Sequence, residues 1–259
     1  MAGYDVLGNI MLLKFKRGVK ISKKKKFALN FLKNNKNIRT VLEKVEKFKG
    51  RLRTQKSKWL AGEKTKEALY KENNCFFRFN VDTCYFSPRL ASERKEVGEM
   101  VNKGEKVLVM FGGVGPFAIV IGKMGKALKV VSVDLGRACN KYALENVKRN
   151  KLNNVEITGG DVRKVIGSGK KINEKFDRIV MARPNLKDSF LDVAFSIIKK
   201  GGFIHYHGFY FEKEVWKLEE LIKDESKKAS RQVRILRIKK AGEIGSRKFR
   251  FRADIKVLN

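Results

Sequence analysis

The sequence Val107-Leu-Val-Met-Phe-Gly-Gly-Val-Gly-Pro-Phe117 determines the expected fold of the chain. Its first four residues are apolar and predict a buried strand, and three glycines follow within four positions, at Gly112, Gly113 and Gly115. The apolar spacing of residues 117–121 is compatible with a helix. A glycine turn between a strand and a helix lets the backbone approach a ligand closely, beside a helix N-terminus that favours a polar or acidic group. A plain strand-to-helix connection has the same pattern, so the rest of the chain must decide between the two.

The composition of the chain indicates a nucleic acid partner. Its 259 residues contain 60 Lys and Arg against 27 Asp and Glu, which gives a formal net charge of +33. Such a charge attracts acidic polymers and makes their binding fall steeply with salt. No apolar run approaches the roughly 20 residues needed to span a bilayer, and residues 1–5 lack a signal-peptide core. We therefore expect a cytoplasmic protein that binds nucleic acid and no membrane.

The cysteine and histidine content argues against a metal site. Cys75, Cys84 and Cys139 show no metal-ligand spacing and cannot all pair, so we expect reduced, structural thiols. His205 and His207 alternate along a predicted strand and share one face, where we expect structural polar roles and no metal. We also expect a monomer, because the sequence shows no apolar interface pattern.

Residues 1–84 predict a small basic α+β domain that contacts RNA. Residues 10–15 have the pattern of a strand, and Ser22 is placed to cap a helix that runs to about residue 34. From residue 37 to residue 84, β-branched and aromatic residues alternate with Lys and Glu, which is typical of strands. The basic excess over the whole segment favours contact with phosphates. No glycine-rich linker follows, so we expect this domain to pack directly against the next one.

Residues 85–259 predict a doubly wound, Rossmann-like α/β domain with a mostly parallel sheet. The predicted strands cover residues 107–110, 129–134, 155–158, 177–181 and 203–207, and the later predicted helices cover residues 137–150, 189–199 and 212–227. We expect the helix from residue 189 to end at Gly201 and Gly202. Two alternating segments, residues 232–238 and 248–257, predict an antiparallel hairpin with its turn at residues 242–245.

Two carboxylates follow predicted strands at positions suited to a nucleoside cofactor. Asp134 ends a buried strand about twenty residues beyond the glycines, where an acid can accept hydrogen bonds from a ribose diol. Asp161 follows the next strand and offers a second polar side chain to the same crevice, although it could instead cap a turn. The glycine turn and the two acids together predict a cofactor that contains a nucleoside.

Several linked motifs resemble the archaeal and eukaryotic tRNA guanosine-37 N1-methyltransferases, which have the class I S-adenosylmethionine-dependent methyltransferase fold. The motifs that carry the resemblance are Tyr85-Phe-Ser-Pro-Arg-Leu90 with Glu93-Arg94, Met110-Phe-Gly-Gly-Val-Gly-Pro-Phe117, Gly160-Asp-Val-Arg163 and Gly201-Gly-Phe-Ile-His-Tyr206. They occur in the family's order over nearly the whole chain. The match begins at the middle, basic domain of the family, so we expect the additional N-terminal domain of many members to be absent.

The resemblance implies S-adenosyl-L-methionine as cofactor and the anticodon stem-loop of tRNA as partner. It places the methionine part of the cofactor along the backbone of Phe111 to Gly115, which includes Val114. The ribose is expected at Asp134, and the adenine at Asp161 and Val162. The implied reaction is methyl transfer to N1 of guanosine 37.

Methylation at guanine N1 needs a general base, because N1 carries a proton, and a donor near O6, where negative charge develops. By resemblance, Glu93 is the base and Arg53 stabilises the charge, although the alignment there is loose and Arg51 could substitute. Tyr85 corresponds to a tyrosine at the cofactor and base pocket. Without the resemblance, Glu93 would be half of a surface ion pair and Tyr85 a core aromatic.

The resemblance also implies substrate contacts from Arg89, Arg94 and the segment that follows the fourth parallel strand. There the family commonly has Asn-Leu-Pro, whose asparagine helps to hold the flipped base, but this chain has Ala182-Arg-Pro184. Alanine cannot make a side-chain hydrogen bond, so the base must be held through backbone carbonyls, Arg183 or Asn185 beside Pro184.

Three alternatives remain open at the level of sequence. Some archaeal relatives with altered residues at this segment are bifunctional and also methylate a carbon of the tricyclic wyosine intermediate. A sister group transfers the aminocarboxypropyl arm of the same cofactor, but Arg89 and Glu93 argue against it. A non-catalytic RNA-binding protein would be expected to have lost the glycines and Asp134, which are intact.

Overall fold

The structure, a computed structural model, describes residues 3–46 and 48–259. Its N-terminal part is a four-stranded sheet covered by one helix. These elements are β1 (Gly3–Leu7), β2 (Ile10–Lys14), α1 (Ile21–Asn34), β3 (Thr40–Lys44) and β4 (Ser57–Gly62). The strands lie side by side in chain order, and only β2 and β3 are parallel, because α1 connects them. The strand predicted at residues 10–15 is confirmed.

Helix α1 begins before Ser22, and the cap predicted at that residue is wrong. The N-cap residue is Lys20, and no side chain caps the helix there. Because Ser22 lies inside the first turn, its hydroxyl cannot act as the cap. Solvent can bind the free amides of this exposed turn. The helix is instead fixed from its sheet side, where Ala28 is buried and Lys24 pairs with Glu43 at 2.5 Å.

The rest of the chain forms a two-stranded hairpin and an α/β domain. The elements up to the last parallel crossover are β5 (Glu67–Glu72), β6 (Cys75–Asn80), α2 (Ala91–Glu99), β7 (Lys106–Met110), α3 (Pro116–Lys123), β8 (Lys129–Asp134), α4 (Arg137–Arg149), β9 (Val155–Gly159), α5 (Val162–Val165), β10 (Phe176–Met181) and α6 (Leu191–Ile197). The chain ends with β11 (Ile198–Phe211), α7 (Trp216–Lys228), β12 (Val233–Gly245) and β13 (Lys248–Val257).

Seven strands form one sheet in the order β12-β13-β11-β10-β7-β8-β9. The strands from β7 to β11 are parallel, and β13 runs antiparallel to both β11 and β12. This confirms the predicted fold class, a mostly parallel sheet closed by an antiparallel hairpin. Along the chain, β8 and β9 are added on one side of β7. The next strand, β10, is then added on the other side of β7. Ligands bind at such a reversal, outside the carboxyl ends of the strands.

Two glycine pairs were predicted to interrupt the backbone, and both lie inside strands instead. Helix α6 ends well before Gly201 and Gly202, which belong to β11 and form an irregular register against β10. Gly201 has a φ of 75°, so it helps β11 to accommodate the three extra residues between the pairs Phe176–Ile198 and Arg178–Phe203. Likewise, Gly242 and Gly245 lie in β12, where the register against β13 shifts. The hairpin turn therefore follows Gly245 rather than covering residues 242–245.

Two asparagines of α4 attach the hairpin of β5 and β6 to the α/β domain. The Asn146 side chain accepts from the amide of Arg78 at 2.7 Å and donates to the Arg78 carbonyl at 3.1 Å. Asn150 forms the same pair of bonds with Phe76, at 2.8 and 2.7 Å. Alternate residues of β6 are thus hydrogen-bonded as if by a neighbouring strand. The hairpin belongs to residues 1–84, although it is bonded to a helix of the α/β domain. A domain division at residue 84 stays a prediction.

We expect Asn146→Ala to lower the free energy of unfolding by roughly 3 kcal/mol, because it leaves the half-buried backbone groups of Arg78 and the buried Val114 carbonyl without this partner. Urea denaturation followed by circular dichroism would measure the loss. Lys148→Ala, an exposed change on the same helix, should alter the free energy by less than about 0.5 kcal/mol. Equal values for the two variants would show that apolar packing alone holds the hairpin.

Candidate active site

A cavity of about 140 Å³ opens at the carboxyl ends of the central strands. The wall formed by residues that follow β7, β8, β9 and β10 consists of Phe111, Gly112, Gly113, Asp134, Leu135, Gly160, Asp161, Val162, Ala182, Arg183 and Pro184. The facing wall comes from the loop after β3 and the segment before α2, and includes Arg51, Arg53, Tyr85, Phe86 and Arg94. Most of the predicted site residues therefore meet at the reversal point of the sheet.

The glycine loop forms the floor of the cavity. Gly112 donates to the Val133 carbonyl at 2.9 Å, and a Cβ atom at Gly112 would collide with the Ser132 hydroxyl. Gly113 has a φ of 57°, a conformation that glycine adopts without strain. The structure does not bring Val114 or the following glycine to the cavity wall, since Val114 is fully buried in the core. These two residues shape the loop from behind.

Asp134 joins the glycine loop to the loop after β8. Its Oδ2 accepts from the Gly113 amide at 2.9 Å, and its Oδ1 accepts from the Gly136 amide at 2.7 Å. Burial raises the pKa of Asp134, and the two backbone hydrogen bonds oppose this shift. Each carboxylate oxygen retains a lone pair. Asp134 can therefore accept further hydrogen bonds from a diol in the cavity that it lines.

Asp161 lines the cavity and also caps α5. The turn-capping role that the sequence offered as an alternative is therefore present, together with a position in the cavity wall. Its carboxylate accepts from the Arg163 amide at 3.0 Å and pairs with Arg51 at 2.8 Å. Burial alone would raise the pKa of Asp161, but the hydrogen bonds from Arg51 and Arg163 outweigh it and lower the pKa. The Arg51 side chain is 62% exposed, so it is free to turn away when a ligand approaches Asp161.

Arg53 and Tyr85 form a stacked pair in the wall of the cavity. The guanidinium carbon of Arg53 lies 4.4 Å from the centre of the Tyr85 ring, and Phe48 packs edge-on against the same ring at 4.9 Å. Such contacts between a cation and an aromatic ring fix the direction of both groups. Within the described residues, the buried Nε of Arg53 has no hydrogen-bond partner. This donor is available to a ligand.

A second cavity, of about 290 Å³, lies on the other side of this stacked pair, between the N-terminal sheet and β12. Arg53, Tyr85 and Arg250 belong to the walls of both cavities. Arg89 lies in the second cavity and pairs with Asp5 at 3.3 Å. The predicted proximity of Arg89 to the first cavity is therefore not observed.

Glu93 lies outside the walls of both cavities and is buried. Its Oε1 accepts from Arg252 at 2.7 Å and lies 3.1 Å from Nε2 of His207. Burial alone would raise the pKa of Glu93, but His207 and Arg252 outweigh it and lower the pKa to about 2. The alternative interpretation, a surface ion pair with neighbouring arginines, is wrong, because the partners of Glu93 come from the distant strands β11, β12 and β13.

His207 lies between two acceptors. Its Nδ1 is 3.3 Å from the Met181 carbonyl, and its Nε2 faces Glu93. A neutral imidazole has one N–H and can donate to only one of them, whereas an imidazolium donates to both. Burial lowers the pKa of His207, and the hydrogen bond and charge of Glu93 oppose this shift. A proton taken up by His207 would therefore let the ring donate to the Met181 carbonyl and to Glu93 together.

Arg94 lines the first cavity, but its Nε and one terminal nitrogen are already used. Its guanidinium forms a paired interaction with both carboxylate oxygens of Glu72, and one terminal nitrogen also donates to the Ser87 carbonyl at 3.0 Å. The Arg94 side chain is 1% exposed and that of Glu72 is 4% exposed. This buried pair fixes α2 against β5, so the geometry gives Arg94 a structural part that the sequence did not predict.

Arg183 also contacts the backbone, and its buried Nε has no hydrogen-bond partner in the described residues. One terminal nitrogen donates to the carbonyls of Leu186 and Asp188, which closes the loop after β10. Pro184 lines the cavity, whereas Asn185 does not. Of the groups that the sequence offers for holding a base here, Arg183 shapes the loop and Asn185 lies away from the cavity.

Sequence reasoning missed Arg250, Leu186 and Phe190, which also line the first cavity. Leu186 and Phe190 sit in an irregular loop that has no periodic pattern. Arg250 lies in the alternating strand β13, whose pattern was used only to predict a hairpin. β13 pairs on both sides, so arginines inside a central strand were a signal of burial that could have been used.

The residues present fit a nucleoside cofactor. Asp134 and Asp161 offer acceptors to a diol and an amino group, and the loop at Gly113 leaves open space, because the nearest atom to an added Cβ is the Tyr85 carbonyl at 3.9 Å. Phe111 and Phe190 pack edge-on at 5.1 Å and form an apolar side wall. No cluster of acidic, His or Cys side chains in the described residues is arranged to bind a metal ion. In the same residues, no helix is long and apolar enough to cross a membrane.

Residues 68–236 match the model of the TRM5/TYW2 methyltransferase domain family. The chain is 35% identical over 256 residues to the tRNA (guanine(37)-N(1))-methyltransferase Trm5b of Pyrococcus abyssi, which covers 98% of this chain and 74% of the relative. It is 31% identical over 304 residues to the tRNA (guanine(37)-N(1))/4-demethylwyosine(37)-methyltransferase Taw22 of Nanoarchaeum equitans, which covers 98% and 99% of the two chains.

Solved structures agree with these similarities. The crystal structure of Trm5b from Pyrococcus abyssi superposes with a TM-score of 0.87 at 34% identity and covers 100% of this chain and 76% of the other. A complex of aTrm5 with tRNALeu gives a TM-score of 0.86 at 27% identity, over 100% and 72% of the two chains. Trm5 of Methanocaldococcus jannaschii with adenosine gives 0.83 at 27% identity, over 100% and 75%.

We expect acid to remove part of the stability of the fold through Glu93. Its pKa is about 2 in the folded chain against an ordinary value of 4.5, so its contribution is complete above pH 4.5 and is lost as the pH falls towards 2. Urea unfolding at pH 5, 4 and 3 should show a smaller fall for Glu93→Gln than for the wild type. Glu219→Gln, an exposed change on α7, should keep the wild-type slope. A wild-type slope for Glu93→Gln would refute the assignment.

Proposed function

The chain belongs to the TRM5/TYW2 methyltransferase family, and from this premise we propose that it methylates N1 of guanosine 37 in tRNA with S-adenosyl-L-methionine as cofactor. The observation that carries the proposal is the cavity at the reversal point of the sheet. There the glycine loop and Asp134 face the stacked pair of Arg53 and Tyr85 across one space. A cofactor side and a substrate side therefore meet where methyl transfer would occur.

The cofactor contacts follow from the same cavity. Asp134 would accept from the ribose hydroxyls, and Asp161 from the adenine amino group once Arg51 has moved. The backbone at Phe111 and Gly113 would lie along the methionine part. When bound, S-adenosylmethionine supplies an electrophilic methyl group on its sulfonium. A relative with adenosine bound supports a nucleoside at this position.

The substrate side would bind a base that is flipped out of the anticodon loop, because a stacked base cannot present N1 to a buried methyl donor. Arg53 would stabilise the negative charge that develops on O6 as N1 loses its proton. Tyr85 holds Arg53 in place by stacking. The binding of tRNA to residues 1–84 as a separate basic domain is part of the proposal. Exposed lysines of α1, Lys23, Lys25 and Lys26, support it.

Glu93 is proposed as the general base, with His207 as its proton-sharing partner. In the conformation described, Arg252 and His207 occupy Oε1 of Glu93. A carboxylate with a pKa of about 2 is a weak base by itself. Substrate binding must therefore bring Glu93 to the cavity, and a neutral His207 raises the proton affinity of the pair, because the resulting imidazolium would donate to Glu93 and to the Met181 carbonyl.

A second activity, C-methylation of the tricyclic wyosine intermediate at the same nucleotide, is favoured by one feature. Ala182 lines the cavity with a methyl group only, so it leaves more room for a wider base than a side-chain amide would. The Nanoarchaeum equitans relative, a tRNA (guanine(37)-N(1))/4-demethylwyosine(37)-methyltransferase, matches this chain over 99% of its own length. Transfer to tRNA that carries 4-demethylwyosine at position 37 would separate this activity from methylation of guanosine alone.

We expect labelled cofactor to transfer its methyl group to tRNA transcripts with G at position 37 and not to transcripts with A there. Adenine N1 carries no proton and its amino group replaces O6, so neither the base nor Arg53 has its partner. Nucleoside analysis after digestion should show N1-methylguanosine. Transfer that is independent of G37 would refute the proposed function.

We expect Glu93→Gln to lower the single-turnover rate about 100-fold or more while the affinity for the cofactor, measured by calorimetry, stays nearly unchanged. Glu96→Gln is the matched control, because Glu96 binds the same Arg252 at 2.7 Å but is not assigned as base. This control should retain most of the rate. A parallel loss of rate and cofactor affinity in Glu93→Gln would assign the residue to folding instead.

A further inference from the structure

Arg250 on β13 is a buried cation that lacks a partner. It is 7% exposed, and its guanidinium forms no hydrogen bond or ion pair with any group in residues 3–46 and 48–259. Its guanidinium carbon lies 4.9 Å from the centre of the Phe209 ring, which is its nearest aromatic contact. Burying a charged group without an acceptor destabilises a fold. A residue in this state indicates an acceptor that arrives with a ligand.

The position of Arg250 limits which ligand this is. Arg250 lines both cavities, as do Arg53 and Tyr85. It therefore lies on the substrate side, across the cavity from the glycine loop and Asp134. Among the other arginines of the first cavity, Arg94 is paired with Glu72 and Arg183 donates to backbone carbonyls, whereas Arg53 retains a buried Nε without a partner in the described residues. Ala182 has no donor in its side chain.

The depth of Arg250 favours a base over a phosphate. A phosphate is held near the surface by the rest of the RNA chain, whereas a flipped base is the part of a nucleotide that penetrates furthest. The acceptors of guanine on the edge away from the ribose are O6 and N7, and their spacing matches two parallel N–H groups of a guanidinium. Adenine presents an amino donor in place of O6, which a guanidinium would repel.

We propose that Arg250 recognises the O6 and N7 edge of the flipped guanine and so determines specificity for guanosine at position 37. This inference rests on the proposed function. Arg53 and Arg250 then share the work at this edge. Arg53, stacked on Tyr85, stabilises the negative charge that develops on O6. Arg250 donates hydrogen bonds to N7 and O6.

The test combines a change in the protein with the removal of one substrate atom. Anticodon segments with guanosine or 7-deazaguanosine at position 37 are ligated into full tRNA, and single-turnover rates are measured for the wild type, Arg250→Met and Arg250→Lys. The wild type should slow about tenfold or more when N7 is absent, in line with the discrimination of a paired arginine contact. In both variants the ratio of the two rates should fall at least about fivefold towards unity. Any effect of the deaza ring on N1 acidity is common to all enzymes and cancels in this comparison.

Arg234→Met is the matched control, because Arg234 is exposed at the opposite end of the same hairpin, and it should keep the wild-type ratio. Arg250→Met should bind the cofactor as the wild type does and should unfold at the same or a higher temperature, since an unpaired buried charge is removed. Arg250→Lys keeps the positive charge but loses the two parallel N–H groups of the guanidinium. It therefore tests the role of these donors if the methionine variant fails to fold. Wild-type ratios in the variants that fold would overturn the inference. A wild type without transfer to G37 would instead overturn the proposed function.

Discussion

The arrangement of the site depends on the fully buried guanidinium of Arg252. It donates to Glu93 at 2.7 Å, to Glu96 at 2.7 Å and to Asp254 at 2.8 Å, so one side chain holds helix α2 against strand β13. Asp254 continues the contact to His205 at 2.6 Å. These carboxylates together offset the cost of burying the cation. The segment that begins α2 is therefore fixed over the reversal point of the sheet.

This constraint explains why the two halves of the cavity meet. The glycine loop and Asp134 belong to the parallel sheet, and local sequence is sufficient to place them, since a strand, a turn and an acid follow one another within a short segment. The facing wall, with Arg53 and Tyr85, comes from chain that precedes the sheet. Its position depends on α2, which is attached through Arg252 and through the pair of Arg94 with Glu72. The cofactor side is thus local, and the substrate side depends on contacts between distant parts of the chain.

The same distinction separates what could be predicted from what could not. Residue pattern gave the order of strands, the closing hairpin and the acids of the cofactor side. It failed at Gly201, Gly202 and Gly242, because a glycine that ends an element and a glycine that forms a bulge within a strand have the same local signal. It also failed for the surroundings of Glu93, because its partners His207 and Arg252 lie more than one hundred positions away. No local pattern carries such information.

Arg250 and Arg252 illustrate how bonding separates structure from function. They lie two positions apart on one face of β13 and are both buried. Their sequence context is nearly identical, since each follows a phenylalanine. The N–H groups of Arg252 point at carboxylates of the protein. The free-energy cost of desolvating its guanidinium is therefore offset on folding. Arg250 has no such partner in the described chain and lines both cavities, where a ligand can bring an acceptor. Burial alone does not classify such residues, whereas the presence or absence of an acceptor does.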